Sequence, residues 1–125
     1  MRIIDSSLWF EYFSGTLNND RVSGLIKDHA NQIVPTICLY EVYRKLLTDK
    51  DEAAALSSVA FMKKGEVIDL SLEIAFLGAK LGRKFKLPLG DSVIYATAIV
   101  HEADVYTKDK HFLNLPNVQY WGGQA

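Results

Sequence analysis

Short apolar runs alternate along the chain with longer segments whose apolar residues recur at helical spacing. Ile3-Ile4 predicts a first strand, and Asp5-Ser6-Ser7 then supplies N-cap chemistry for a helix carrying Leu8, Trp9, Tyr12 and Phe13. Asn19-Asp20 caps a second helix with Val22, Leu25 and Ile26 on one stripe. Ile33-Val34 is a second strand, ended by Pro35-Thr36, which opens a helix through Leu47 with Ile37, Tyr40 and Arg44 in step. A further helix runs from Asp51 to Met62, and Val67-Ile68 makes a third strand. Leu70-Ser71 begins a helix containing Ile74, Leu77, Gly78 and Leu81; the turn Leu87-Pro88-Leu89-Gly90 precedes a helix from about Asp91 to Glu102. Val105-Tyr106 gives a fourth strand and Val118 to Trp121 a short last one. Strands alternating with helices predict an α/β fold: a three-layer sandwich with a central, mostly parallel sheet flanked by helices. The working crevice of such a fold lies outside the carboxyl ends of its strands.

Composition narrows this picture. A chain of 125 residues, 49% hydrophobic and 23% charged, fits one folded domain over residues 1–125 with an ordinary core. The single cysteine, Cys38, excludes an internal disulfide framework and points to a reducing compartment. An acid follows only two apolar residues at the start, and no run approaches the ~20 residues needed to span a bilayer, so a cytoplasmic protein without a membrane partner is expected. Net charge is -1, which leaves any nucleic-acid binding to a local patch. No GxGxxG follows a strand and no Walker lysine is present, which excludes dinucleotide and P-loop chemistry.

Candidate chemistry gathers at the strand ends. Asp5 follows the first strand and Asp109 comes just past the fourth; Glu41 lies between one and two turns into the helix after strand two, and Asp91 opens its own helix. Taken singly, each acid has a plain structural explanation, since Asp is a preferred N-cap, Glu a good helix former, and Glu41 has Arg44 three residues away. Asp69, after Val67-Ile68, follows the same rule and reads as a turn or cap residue. Taken together the four acids repel one another unless they take up protons or a cation. Mg²⁺ and Mn²⁺ suit oxygen ligands, and a site of this kind activates water for in-line attack on phosphorus.

Asp5 followed by Ser6, the helical Glu41, the stretch Leu89-Gly90-Asp91-Ser92-Val93-Ile94-Tyr95-Ala96-Thr97-Ala98, and Thr107-Lys108-Asp109-Lys110-His111-Phe112 resemble the PIN domain family. Size and layout are similar to its VapC-like ribonuclease toxins of type II toxin/antitoxin pairs, from Ile3 to about Tyr120. The resemblance implies a PIN-like fold and a Mg²⁺- or Mn²⁺-dependent endoribonuclease, a hydrolase leaving 5′-phosphate and 3′-hydroxyl ends. It implies Asp5, Glu41, Asp91 and Asp109 as catalytic residues and metal ligands, with Ser6 and Thr107 as supporting hydroxyls. It also implies a homodimer, an RNA substrate and a cognate antitoxin. This chain departs from the pattern at His111, where many members carry a further acid.

Lys108 and Lys110 flank Asp109, and Arg83 and Lys86 precede the Asp91 helix, which makes these four the candidate contacts to RNA phosphate. His29, His101 and His111 lack zinc-ligand spacing and no cysteine pair accompanies them. One helix cannot bury Trp9, Phe10, Tyr12 and Phe13 around its circumference, so a second copy or an antitoxin is expected to cover some of them. The alternative to the nuclease is a catalytically silent domain of the same fold, acting as an RNA- or protein-interaction module.

Overall fold

The first strand, β1 (Arg2–Ile4), ends in the middle of a sheet because later segments add to both of its edges. In the computed structural model, which describes residues 1–122, β2 (Gln32–Pro35) pairs with it on one side and β4 (Asp104–Thr107) on the other. Residues 123–125, the end of the expected domain, lie outside the described residues. β3 (Glu66–Ile68) adds outside β2 and β5 (Val118–Tyr120) outside β4, giving the order β3-β2-β1-β4-β5 with every pair parallel. Parallel neighbours require crossovers, and the helices supply them: α1 (Ser6–Ser14), α2 (Asp20–Lys27), α3 (Thr36–Asp49), α4 (Glu52–Met62), α5 (Leu72–Phe85) and α6 (Leu89–Val100). The fold is the expected α/β sandwich. Ile3, Ile4, Ile33, Val34 and Val105 are buried, as central strands covered on both faces should be.

Helix starts follow the chemistry of their caps. Asp5, Asn19, Asp51 and Ser71 each place a side-chain oxygen on a backbone N–H of the first turn of α1, α2, α4 and α5. α6 differs from expectation. It begins at Leu89, with Pro88 at the N-cap and no side-chain cap, so Asp91 is an interior residue of the first turn. Pro88, at φ -57, is already set for helix entry, and its carbonyl accepts the Ser92 amide at 2.9 Å. The helix also ends early, at Val100, because Glu102 turns left-handed at φ 52 and returns the chain to β4.

α6 is buried from Asp91 to Ala98, against α5 on one side and the sheet on the other. The aromatic load on α1 is covered partly within the chain. Phe61 of α4 stacks on Tyr12 at 5.5 Å between centroids and meets Trp9 edge-on, while Phe13 stacks on Trp9 at 5.6 Å. Among the described residues no helix is long and apolar enough to cross a membrane.

Candidate metal centre

Asp5 stands one residue beyond β1 and is 2% exposed. Burying a carboxylate requires donors, and it has three: the Ser7 amide at 3.3 Å, Ser7 Oγ at 2.7 Å and Thr107 Oγ1 at 2.8 Å. All three go to Oδ2, so the protein holds one oxygen of Asp5 while Oδ1 receives none of them. Thr107, the last residue of β4, in turn accepts the Asp109 amide at 2.9 Å, and Ser7 Oγ accepts the Lys108 amide at 3.1 Å. Two hydroxyls thus fasten the turn after β4 to the turn after β1.

Glu41 reaches the same place from α3. Its Oε1 accepts Ser6 Oγ at 2.7 Å, and its other oxygen lies against Gly90, where a Cβ would collide with it. A side chain at position 90 would therefore displace the Glu41 carboxylate, so the absence of one in the first turn of α6 keeps that carboxylate where it is. Asp109 caps a 3-10 turn over Lys110–Phe112, its Oδ1 accepting the His111 amide at 2.9 Å. His111 Nδ1 lies 2.7 Å from that same oxygen and 3.1 Å from Asp91 Oδ2.

Asp5, Glu41, Asp91 and Asp109 all line one cleft of about 500 Å³, together with Ser6, Ser7 and the α3 residues Tyr40, Arg44 and Lys45. Crowding shows in their proton affinities. Asp91 is pushed up from the ordinary 3.8 to about 8, first by burial and then by the charges of Asp109 and Asp5. Burial also raises Asp5 against the pull of its hydroxyl donors, and raises Glu41 despite Ser6. Cys38, fully buried behind them, is raised well above the usual thiol range by burial and by Asp5 and Glu41, which makes it inert.

The four cations expected to meet RNA phosphate stand outside the lining of the acidic cleft. Lys108 pairs with Glu11 beside a separate cavity, and Arg83, Lys86 and Lys110 are exposed without lining the acidic cleft. Arg44 and Lys45, one turn past Glu41, do line it. The sequence suggested Arg44 only as a helix partner of Glu41, Ser7 only as cap chemistry and Gly90 only as a turn residue, and it left Lys45 unmarked, although the i,i+3 and i,i+4 spacing from Glu41 was a usable signal for the two cations.

The sequence pattern of the PIN domain matches residues 2–118. A search of curated proteins finds no match. Among solved structures, a toxin-antitoxin complex from Klebsiella pneumoniae superposes with a TM-score of 0.80 at 21% identity, covering 98% of this chain and 100% of that one. VapBC2 from Rickettsia felis, bound to a DNA fragment from its promoter, gives 0.76 at 18% identity over 96% and 98% of the two chains. VapC20 from Mycobacterium tuberculosis, a Sarcin-Ricin loop cleaving toxin, gives 0.77 at 14% identity over 94% and 97%. With the pattern spanning nearly the whole sequence and the same fold recurring in these structures, the chain belongs to the PIN domain family.

Proposed function

We propose that the protein is a metal-dependent endoribonuclease, the toxin of a toxin/antitoxin pair, formed by one domain over residues 1–125. The observation that carries this reading is the convergence of four carboxylates from four separated segments on one cleft. Family membership and the likeness to toxin and VapC structures support it.

The donor set fits a hard divalent cation. All four groups offer carboxylate oxygen, Asp5 keeps Oδ1 clear of its protein donors, and the raised proton affinity of Asp91 marks a place where positive charge is favoured. Asp5, Asp91 and Asp109, with Glu41 beside them, would hold Mg²⁺ or Mn²⁺. Such an ion, when bound, lowers the barrier by activating water and neutralising charge on the phosphate. Ser7 and Thr107 fix the Asp5 carboxylate, and Ser6 fixes Glu41, so the ligands are oriented before substrate arrives. Arg44 and Lys45 flank the cleft where an RNA backbone would enter, and the exposed Tyr40 ring beside them offers a base a stacking face. No protein nucleophile is required. The products would carry 5′-phosphate and 3′-hydroxyl ends.

A cytoplasmic homodimer inhibited by an antitoxin completes the reading. Leu72 and Phe76, 72% and 64% exposed one turn apart on α5, offer the apolar surface for a second copy. Light scattering should report a dimer, and a monomer at micromolar concentration removes that part of the proposal.

The test is cleavage of a mixed cellular RNA pool with Mg²⁺ or Mn²⁺, with chelator, and with Asp5→Asn. Cutting that needs the ion and disappears in the variant supports the nuclease. Cutting that survives chelator overturns the metal dependence. RNA bound but never cut marks the silent interaction module instead.

A further inference from the structure

His111 interrupts an otherwise all-oxygen set of ligands. Ligand atoms of Asp91, Asp109 and His111 lie within 4.8 Å of one another, with Nδ1 at 2.7 Å from Asp109 Oδ1 and 3.1 Å from Asp91 Oδ2. Neighbouring ligands of an octahedral ion with bonds of ~2.1 Å stand about 3 Å apart, so both spacings are those of adjacent corners around one ion. The ring is aimed there by its backbone. Asp109 caps the 3-10 turn by accepting the His111 amide, and the next residue, Phe112, is 0% exposed and packs edge-on against Tyr95 of α6. A turn fixed at both ends leaves the imidazole over the two carboxylates.

We propose that His111 Nδ1 is a ligand of the centre beside Asp91 and Asp109, and that it biases the site toward Mn²⁺ or a similar transition ion over Mg²⁺. The inference rests on the metal-site part of the function proposed above and adds the identity of the ion. Imidazole suits the later first-row ions best, and Mn²⁺, although at home among carboxylates, opens the same series, whereas Mg²⁺ keeps to oxygen ligands and gives up water reluctantly. An acid at position 111 would carry no such preference. If His111 were only a counter-charge to the two acids, its removal would change affinity for both ions alike.

The experiment binds Mn²⁺ to the full chain and records pulsed electron paramagnetic resonance, then displaces the ion with Mg²⁺. Nitrogen modulation from a coordinated imidazole is expected in the wild type and absent in His111→Gln and His111→Asp. The Mn²⁺ over Mg²⁺ preference should fall by about tenfold or more in His111→Asp, since even groups that merely orient ligands change metal affinity by ~10- to 100-fold. Thermal melts confirm that the variants fold. A wild-type spectrum without nitrogen coupling, or an unchanged preference in His111→Asp, overturns the inference. RNA cleavage separates it from the nuclease reading: nitrogen-coupled Mn²⁺ without cutting leaves the ligand standing and removes the nuclease, whereas cutting with no nitrogen coupling does the reverse.

Discussion

Asp5 and Asp69 hold the same place in the chain's grammar, each the first residue after a short strand, and they live in opposite surroundings. Asp5 follows β1, the middle strand, and Asp69 follows β3, at the edge. The first is buried with three donors on one oxygen, and the second is exposed. A central strand end has a neighbour on each side, so β4 delivers Thr107 and the turn to Asp109, while α3, leaving β2, delivers Glu41. An edge strand end has one neighbour and water. Position in the sheet, rather than position after a strand, is what brings an acid into the cleft.

The strongest test of that contrast is Asp91→Asn. RNA cleavage should fall by orders of magnitude, since each 1.36 kcal/mol of lost barrier reduction is tenfold. Folding should not suffer, because Asp91 caps nothing and its charge is repelled by Asp109 and Asp5. A variant that cuts normally would reduce the cleft to the standing of Asp69.

Gly90→Ala comes next. The new methyl group pushes the Glu41 carboxylate from its place, and cleavage should drop ~10- to 100-fold, the scale seen for groups that orient ligands. Melting should hold or rise, with at most ~1 kcal/mol of stabilisation, because alanine is the better helix former. Lost stability with full activity would mean that Glu41 packs rather than works.

A smaller effect lies in the pH dependence of the metal-free protein. Asp91 keeps its proton to about 8 in the fold but only to about 3.8 when unfolded. Between those values the folded state binds more protons, so its stability declines as pH rises, and below both the effect is gone. In chelator, the melting temperature of Asp91→Asn minus that of the wild type should therefore widen from pH 4 to pH 8. Added Mn²⁺ should rescue the wild type most at the upper end, where no proton has to be displaced. A flat difference would show that the carboxylates do not strain one another.

Asp69→Asn should do least: unchanged cleavage, and stability within about 0.5 kcal/mol, as for most surface substitutions. Loss of cleavage there would break the comparison outright.

Much of this was legible beforehand, and the reason is locality. Caps at Asn19, Asp51 and Ser71 announce their helices through oxygens that bond three residues away, and the apolar pairs Ile3-Ile4 and Ile33-Val34 announce buried strands. Asp5 and Asp109 were legible the same way, by their place after strands, and Asp91 and Glu41 by their place in the helices. What stayed hidden depends on which segments become neighbours. Ser7 read as cap chemistry because its bond to the Lys108 amide spans 101 residues. The ion pair of Lys108 was hidden because Glu11, its partner, lies 97 residues away. His111 failed a search for zinc spacing since its companions are carboxylates, Asp109 two residues earlier in the same turn and Asp91 from α6.

The bond between Thr107 and Asp5 joins positions 102 residues apart, and that separation has a consequence in time. Synthesis makes the central strand long before one of its two neighbours, β4, so the middle of the sheet keeps an open edge while the residues between them are added. A ribosome-bound chain that has not reached residue 107 lacks one of the two hydroxyls that donate to Asp5 Oδ2 and lacks Asp109 altogether. The cleft is thus incomplete in the growing chain until β4 and the turn after it are made.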